Sequence, residues 1–322
     1  MIPIRKPGKT SLKAGLPGFL ILSHKSKDKM EIQFTKMHGS GNDFILVDEW
    51  AKTIVPQADK ERFVKTACDR HFGIGADGVI FLQKSKTQDL SFVFYNPDGS
   101  RAEMCGNGIR CLAKYAYEHG LVKRKRMTVE TLAGIKTPEV ETEDGLVTEV
   151  RVGMGRPQIL RGEAQVAGRP DEPFIDENVR IGGFEYRITS VGMGNPHAIV
   201  YVDSVDQVNV DETGRRIRNH VFLFPKGTNV HFLQKVGDNE FRIRTYERGV
   251  EAETLACGTG ICASAVASVL NGKADMGRPV LFHARGGDLR VELEGEQDDI
   301  QEVYLIGPVQ EVFTGKITYP VG

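Results

Sequence analysis

The sequence predicts an α+β protein made of two similar domains, each with many short strands around one principal buried helix. The first observation is an internal repeat, in which Cys105-Gly106-Asn107-Gly108-Ile109 returns as Cys257-Gly258-Thr259-Gly260-Ile261. The second is that each copy opens a segment with helical periodicity, whereas most other periodic segments alternate as strands do. Because strands and helices do not alternate regularly along the chain, the pattern disfavours a parallel doubly wound sheet.

Three further blocks repeat in the same order and at nearly the same spacing. Gly39-Ser40-Gly41-Asn42 returns as Gly192-Met193-Gly194-Asn195, Val79-Ile80-Phe81-Leu82 as Val230-His231-Phe232-Leu233, and Gly120 as Gly272. Two similar halves can pack face to face and present similar groups to opposite sides of one ligand. The repeat therefore favours a site between the halves.

Length and composition fit a soluble protein of two domains. The chain has 322 residues, of which 40% are hydrophobic and 26% are charged, and its formal net charge is −1. This balance gives no general attraction for nucleic acid or anionic membranes, and the longest apolar runs are too short to span a bilayer. Five cysteines without a dense framework favour a reducing compartment, so we predict a cytoplasmic protein.

The elements follow in chain order. Residues 1–30 carry seven Lys and Arg against one acid, and this composition predicts a flexible extension. Regular structure is predicted from Glu31, and a first helix over Ala58–Cys68. The helix that starts at Cys105 buries Ile109, Leu112, Ala113 and Ala116 on one face and ends near His119-Gly120, whereas the helix that starts at Cys257 is apolar on nearly all sides.

Two motifs suggest chemistry that their context does not support. Gly73-Ile74-Gly75-Ala76-Asp77-Gly78 matches a dinucleotide-binding pattern, but a helix precedes it and a strand follows, which is the wrong order. Cys105 and Cys111 are six positions apart and no C-x-x-C pair occurs, so no metal site is predicted. A redox disulfide between Cys105 and Cys257 remains an alternative.

Cys105 and Cys257 are the candidates for acid and base. Each precedes the first turn of a helix, where unpaired amides carry partial positive charge that lowers a thiol pKa. The same amides can hold a carboxylate, and glycine allows close approach. These amides belong to Gly106, Asn107, Gly258 and Thr259.

Polar residues near the cysteine motifs complete the candidate site. Asn42 and Asn195 recur at matched positions, and His197 is placed to orient or assist a thiol. Glu247 offers an acceptor for an ammonium group, and Arg248 offers a fork for a carboxylate. The alternatives are a structural turn imposed by the shared fold for Asn42 and Asn195, and simple packing for His197. For Glu247 and Arg248 the alternative is a surface ion pair in a turn.

These segments resemble the diaminopimelate epimerase family of cofactor-independent amino-acid epimerases, from about residue 32 to the C-terminus. The cysteine motifs alone would also suit a proline racemase, and the Asn-Pro-His and Glu-Arg-Gly segments favour the former family. The resemblance is carried by Met37-His38-Gly39-Ser40-Gly41-Asn42-Asp43-Phe44, Asn96-Pro97-Asp98-Gly99-Ser100, Met104-Cys105-Gly106-Asn107-Gly108, Met193-Gly194-Asn195-Pro196-His197, Tyr246-Glu247-Arg248-Gly249 and Ala256-Cys257-Gly258-Thr259-Gly260.

The resemblance implies two domains related by a pseudo-two-fold axis, each a mainly antiparallel sheet rolled around a central helix, with the site between them. It implies that the last strand returns to the first domain, which gives domains 31–152 plus 309–322 and 153–308. It also implies epimerisation of LL- and meso-diaminopimelate for lysine and peptidoglycan precursors, with no cofactor. A homodimer is one option for the assembly.

The resemblance also assigns roles to residues. Cys105 and Cys257 fall on the paired acid and base, with His197 and Glu247 assisting them. The reacting carboxylate falls on the helix-start amides, with Asn42 nearby. The clamp for the distal end of the substrate falls on Asn96, Asn195, Asn229, Glu247 and Arg248. Gly78 departs from the family, in which some members carry glutamine, and this puts one secondary substrate contact in doubt.

Overall fold

The computed structural model describes residues 29–320. The predicted extension over residues 1–30 therefore lies outside the described residues, except for its last two. These two residues begin the first strand at Lys29, slightly before the predicted start of regular structure at Glu31.

The described residues contain nineteen strands and five α-helices. One sheet contains β1 (Lys29–Gly39), β2 (Asn42–Glu49), β3 (Val79–Gln83), β4 (Leu90–Tyr95), β5 (Arg101–Ala102), β6 (Val129–Thr131), β7 (Gly134–Lys136) and β19 (Gln310–Pro320). The other contains β8 (Glu139–Glu143), β9 (Leu146–Gly155), β10 (Phe174–Ile181), β11 (Phe184–Gly192), β12 (Pro196–Tyr201), β13 (Asn229–Gly237), β14 (Glu240–Glu247), β15 (Ala252–Thr254), β16 (Val280–Ala284), β17 (Gly287–Glu296) and β18 (Asp299–Pro308). The helices are α1 (Lys60–Cys68), α2 (Gly106–Glu118), α3 (Arg161–Ala164), α4 (Val210–Arg218) and α5 (Gly258–Leu270).

The two sheets repeat one arrangement of strands. The first has the order β19-β1-β2-β3-β4-β6-β7, and the second contains β10-β11-β12-β13-β14-β16-β17 in the equivalent order. Neighbouring strands are antiparallel except at β2·β3, β4·β6, β12·β13 and β14·β16, so the parallel pairs also recur at equivalent places. The predicted pair of similar, mainly antiparallel sheets is confirmed.

Each sheet encloses one helix. In α2 the predicted apolar face, from Ile109 to Ala116, is fully buried in the core of the first half. In α5, buried residues lie on all sides of the helix, as its uniformly apolar sequence predicts. The opposite faces of the sheets pack on α1 and α4, so the central strands are buried on both faces and their sequences are apolar throughout.

The end of the first half connects the two sheets. Strand β9 pairs with β18 and so extends the second sheet, although Val150 and Val152 pack in the core around α2. Strand β19 pairs with β1 along nearly its whole length, in the first sheet. The division of the chain at residues 152 and 309 stays a prediction, because hydrogen bonding and core packing assign β9 to different halves.

Between residues 29 and 320, no helix is both long enough and apolar enough to cross a membrane.

Candidate active site

The N-termini of α2 and α5 lie next to each other. A Cβ atom placed on Gly258, the first residue of α5, would be 3.6 Å from Oδ1 of Asn107 in the first turn of α2. Leu305 lies beside both helix starts, close to Gly106 and to Gly258. Two sets of unpaired amide donors therefore converge from the two halves, as the repeat predicts.

Cys105 is the N-cap residue of α2. Its sulfur accepts a hydrogen bond from the amide of Gly108 at 3.4 Å and lies 3.8 Å from Oδ1 of Asn42. Burial raises the pKa of the Cys105 thiol, while hydrogen bonds from the amides of Gly108 and Asn107 and the charge of Arg110 oppose the rise. The helix-start amides and Arg110 reduce this rise but do not reverse it, so the prediction that the helix start lowers the thiol pKa is wrong for Cys105 in this structure, where burial dominates.

Cys257 occupies the equivalent position before α5 and is almost completely buried. Its sulfur lies 3.6 Å from Oγ1 of Thr259. Burial raises the pKa of this thiol to about 12, and the charges of Glu247 and Cys105 add to the rise. The charge of Cys105 acts on the pKa of Cys257, so the two thiols lie within electrostatic reach of each other. That they act on one substrate carbon stays a prediction.

Glu247, at the end of β14, lies within electrostatic reach of both cysteines. Its charge is among the causes that raise the pKa of Cys105 and of Cys257. Burial raises the pKa of Glu247 itself. Glu247 therefore influences the protonation of both thiols through its charge, and a direct proton exchange with either of them stays a prediction.

Arg110 is a residue of the site that sequence reasoning missed. It is fully buried in α2, five positions after Cys105, and Nη2 donates a hydrogen bond to Ser40 at 3.3 Å. Its Nε and Nη1 atoms have no partner, and no carboxylate of residues 29–320 forms an ion pair with it. Its charge opposes the rise in the pKa of Cys105. A buried cation without a counterion could have been suspected from an arginine in an otherwise apolar helix face.

An ion-pair network holds Asn42 in place. Asp77 accepts hydrogen bonds from Nδ2 of Asn42 at 2.7 Å and from Arg70, which also pairs with Asp43. The opposite end of the Asn42 amide, Oδ1, accepts a hydrogen bond from Asn107 at 3.2 Å. The amide oxygen of Asn42 therefore faces the first turn of α2, and Asp77 is a second residue that sequence reasoning did not select.

Asn195 and His197 belong to a buried hydrogen-bonded chain in the second half. Nε2 of His197 lies 2.9 Å from Oδ1 of Asn195, and Nδ1 of His197 lies 2.9 Å from Nε2 of His231. Burial and the charges of His231 and Arg248 hold the pKa of His197 well below its ordinary value. Both ring nitrogens of His197 thus have hydrogen-bond partners within the second half. A direct action of His197 on a thiol stays a prediction.

With this geometry established, comparison with known proteins decides the family. A family model described as diaminopimelate epimerase matches residues 34–160 and 189–312. The chain belongs to the diaminopimelate epimerase family. It is 48% identical over 289 residues to the diaminopimelate epimerase of Pelotomaculum thermopropionicum, with 89% of this chain and 99% of that protein covered. The corresponding protein of Heliobacterium modesticaldum is 45% identical over 287 residues, with the same coverage.

Solved structures show the same fold at lower sequence identity. A hydroxyproline epimerase from Agrobacterium vitis aligns with a TM-score of 0.66 and 16% identity, covering 89% of this chain and 91% of that one. A Bacillus anthracis protein of the PhzF family aligns with a TM-score of 0.65 and 16% identity, covering 89% and 99%. The predicted epimerase family and two-domain fold are therefore confirmed.

The residues predicted to bind the distal end of the substrate divide into two groups. Arg248 and Asn195 keep free donors within residues 29–320. The guanidinium of Arg248 forms no ion pair with a carboxylate of these residues and donates only Nη1, at 3.1 Å, to the carbonyl of Lys226. In the same part of the chain, the amide of Asn195 has a hydrogen-bond partner only at Oδ1. Asn229 is buried, and its amide connects the carbonyl of Pro196 to the backbone N–H of Arg248, both at 2.9 Å. Asn229 thus holds two site segments together, and its direct contact with substrate stays a prediction.

Two further predicted positions have local explanations. Nδ2 of Asn96 donates a hydrogen bond to Oγ of Ser100 at 3.0 Å within its own turn, so its role in binding stays a prediction. At Gly78, a Cβ atom would lie 2.4 Å from the ring of Phe94 and 2.7 Å from the carbonyl of Tyr95. A glutamine side chain does not fit here, so this chain lacks the secondary contact that the sequence put in doubt.

Proposed function

We propose that this chain interconverts LL- and meso-diaminopimelate without a cofactor, using Cys105 and Cys257 as the acid and base. One thiolate removes the proton from Cα, and the other thiol donates a proton to the opposite face. The product leaves with the two protonation states exchanged. The reaction supplies precursors of lysine and peptidoglycan.

The convergence of two helix N-termini explains how the proton can be removed. Negative charge that develops on the substrate spreads into its α-carboxylate, which the amides of Gly106, Asn107, Gly258 and Thr259 can hold. The burial that raises both thiol pKa values also strengthens these interactions. The α-ammonium group of the bound substrate brings a positive charge to the sulfurs and favours the thiolate form.

Selectivity comes from the distal end of the substrate. The free donors of Arg248 and Asn195 suit the distal carboxylate, and Glu247 supplies an acceptor for the distal ammonium group. An amino acid without a second charged end would leave these groups unpaired, at a cost of about 1–3 kcal/mol each. This favours diaminopimelate over proline, whose racemases share the fold.

The single observation that supports this proposal best is the meeting of both cysteine-capped helix starts beside Glu247. The decisive experiment follows deuterium entering one stereocentre of LL- or meso-diaminopimelate in deuterated water. Cys105→Ser and Cys257→Ser should each abolish or strongly reduce this exchange. Cys68→Ser is the matched control, because Cys68 is buried in the core around α1, which is separate from the cores around α2 and α5.

Three outcomes would contradict the proposal. A wild-type rate in either Cys105→Ser or Cys257→Ser would exclude a two-base mechanism. Turnover of free proline in place of diaminopimelate would favour a proline racemase. Inactivity on both, with a reversible disulfide between the two cysteines, would favour a redox switch. The cytoplasmic location and the homodimer stay predictions, to be checked by fractionation and by light scattering.

A further inference from the structure

At one set of three equivalent positions, the second half has polar side chains where the first half has apolar ones. On neighbouring strands, His231 pairs with Thr245 in the second half, and Ile80 pairs with Phe94 at the equivalent place in the first. His197 follows Asn195 by two positions, as Phe44 follows Asn42. The second half therefore has His197, His231 and Thr245 where the first half has Phe44, Ile80 and Phe94.

The apolar set shows what the fold alone requires at these positions. Phe44 and Phe94 pack edge to face with ring centroids 5.7 Å apart, and Ile80 is fully buried. A Cβ atom on Gly108, in the first turn of α2, would lie 3.5 Å from Ile80. Hydrocarbon side chains thus satisfy the packing between these strands and the first turn of the central helix.

In the second half, polar side chains pack against the first turn of the central helix in the same way. The ring of His231 lies directly against Gly260, in the first turn of α5, where a Cβ atom would be 2.0 Å from Cε1. Nδ1 of His231 lies 2.9 Å from Oγ1 of Thr245, and Nε2 lies 2.9 Å from Nδ1 of His197. Burying three polar groups is costly unless every one is hydrogen-bonded. Since apolar side chains satisfy the fold at the equivalent positions of the first half, we expect a functional role for these three polar groups.

The hydrogen bonds of this chain run in one direction. Oδ1 of Asn195 can only accept, so Nε2 of His197 carries a proton and Nδ1 of His197 accepts from Nε2 of His231. Nδ1 of His231 then accepts from the hydroxyl of Thr245. Burial keeps both rings neutral, because it holds the pKa of His197 well below its ordinary value. Burial also lowers the pKa of His231 to about 3.

We propose that His231 is a positioning residue that fixes the neutral Nε2–H tautomer of His197 and thereby turns the NH₂ group of Asn195 towards the ligand. An amide turned the other way would present its oxygen to a carboxylate and repel it. The identity of the ligand, a distal carboxylate of diaminopimelate, rests on the proposed function. The direction of the chain does not.

The first test reads the tautomer directly. Imidazole nitrogens of the full chain labelled with nitrogen-15 are recorded by long-range proton–nitrogen correlation at neutral pH, and His197→Gln identifies the signals of His197. We expect a single neutral Nε2–H tautomer in the wild type. In His231→Ile, which copies Ile80, the His197 signals should shift towards a mixture of tautomers. A wild-type His197 with its proton on Nδ1 would overturn the inference.

The second test measures kinetics on the same variants. His231→Ile should raise KM for diaminopimelate about tenfold or more, the effect of losing one hydrogen bond to a charged group, with a smaller change in kcat. His231→Gln, whose amide NH₂ replaces the Nε2 donor, should restore both tautomer and KM. Thr189→Val is the control, because Thr189 is a buried hydroxyl that serves Asp176 and Asn271 only.

The outcomes separate this inference from the proposed function. If the wild type fails on diaminopimelate but His197 loses its tautomer in His231→Ile, the proposed function is contradicted and the positioning role is supported. If diaminopimelate is epimerised and His231→Ile changes neither the His197 signals nor KM, the positioning role is overturned. The same holds if Thr189→Val raises KM as much as His231→Ile does.

Discussion

Replacing Arg110 by methionine should separate the stability of this protein from its activity. The guanidinium is fully buried in α2 and has one hydrogen bond, to Ser40, but no ion pair with a carboxylate of residues 29–320. Burial accordingly lowers the pKa of Arg110. Its charge opposes the rise in the pKa of Cys105, which is the one functional benefit that the structure shows.

The expected magnitudes follow from these contacts. Desolvating an ion costs several kcal/mol, and a hydrogen bond to a charged group returns about 1.5–3 kcal/mol. Arg110→Met removes both contributions and keeps the apolar packing, so the free energy of unfolding should stay unchanged or rise by about 2 kcal/mol. Without the charge of Arg110 the pKa of Cys105 rises further, and each unit of that rise lowers the population of its thiolate about tenfold. We expect kcat/KM to fall about tenfold to a hundredfold.

Urea unfolding and the pH dependence of kcat/KM measure these two effects on one preparation. Arg110→Lys is the matched control, because it keeps the charge and should retain more activity than Arg110→Met. Two results would refute the reasoning. One is a decrease of about 3 kcal/mol or more in the free energy of unfolding of Arg110→Met, which is the effect expected when one partner of a buried ion pair is removed. The other is an unchanged kcat/KM in a correctly folded variant.

Other predictions test the remaining parts of the site. Glu247→Gln should lower the thiol pKa values, seen as faster alkylation, yet reduce epimerisation, because the proton exchange partner is lost; an unchanged rate would exclude Glu247. Arg248→Ala should raise KM for diaminopimelate by about tenfold or more, and an unchanged kcat/KM would remove Arg248 from the clamp. In the wild type, kcat/KM should keep rising with pH beyond about 8.5, the ordinary thiol value, because burial raises the pKa of Cys257 to about 12 and the base is the thiolate. Burial alone would raise the pKa of Asp43, but hydrogen bonds from Arg70 and Lys36 lower it to about 2, so its stabilising effect is complete above about pH 4 and is lost as pH falls through 2. Asp43→Asn should remove this acid limb from the unfolding profile, and an unaltered limb would contradict the assignment.

Features that depend on local chemistry could be predicted from the sequence. The start of α2 at Cys105 and its end at His119 follow from glycine-rich caps and the spacing of Ile109, Leu112 and Ala116. The pairing of β9 with β18 could not be predicted, because strands of similar alternation have many partners and the choice depends on distant residues. No helix is predicted from the sequence at α4, because only Val210 and Ile217 are large apolar residues among its nine and most of the others are charged.

Within the site, the repeat identified residues that are alike in both halves and concealed those that differ. Cys105 and Cys257 were found because the same motif surrounds both. His231 was read only as part of a strand block, since Ile80 occupies its place in the other copy. Arg110 lies inside a helix whose apolar spacing already explained the segment. A position-by-position comparison of the two copies would have drawn attention to His231.

The difference between the copies is what the proposed chemistry requires. Proton exchange at one carbon treats its two faces alike, so both halves need a thiol at a helix N-terminus, and both have one. The distal end of the substrate leaves the reacting carbon in one direction only, so the two halves cannot contribute equally to binding it, and Asn96 is the one first-half residue predicted for the clamp. The second half therefore carries Glu247 and Arg248, together with the polar chain that ends at Asn195, while the first half keeps hydrocarbon at the positions equivalent to that chain. The proposed mechanism thus accounts for the matched cysteines at the reacting centre, and the proposed positioning role of His231 accounts for the unmatched residues around it.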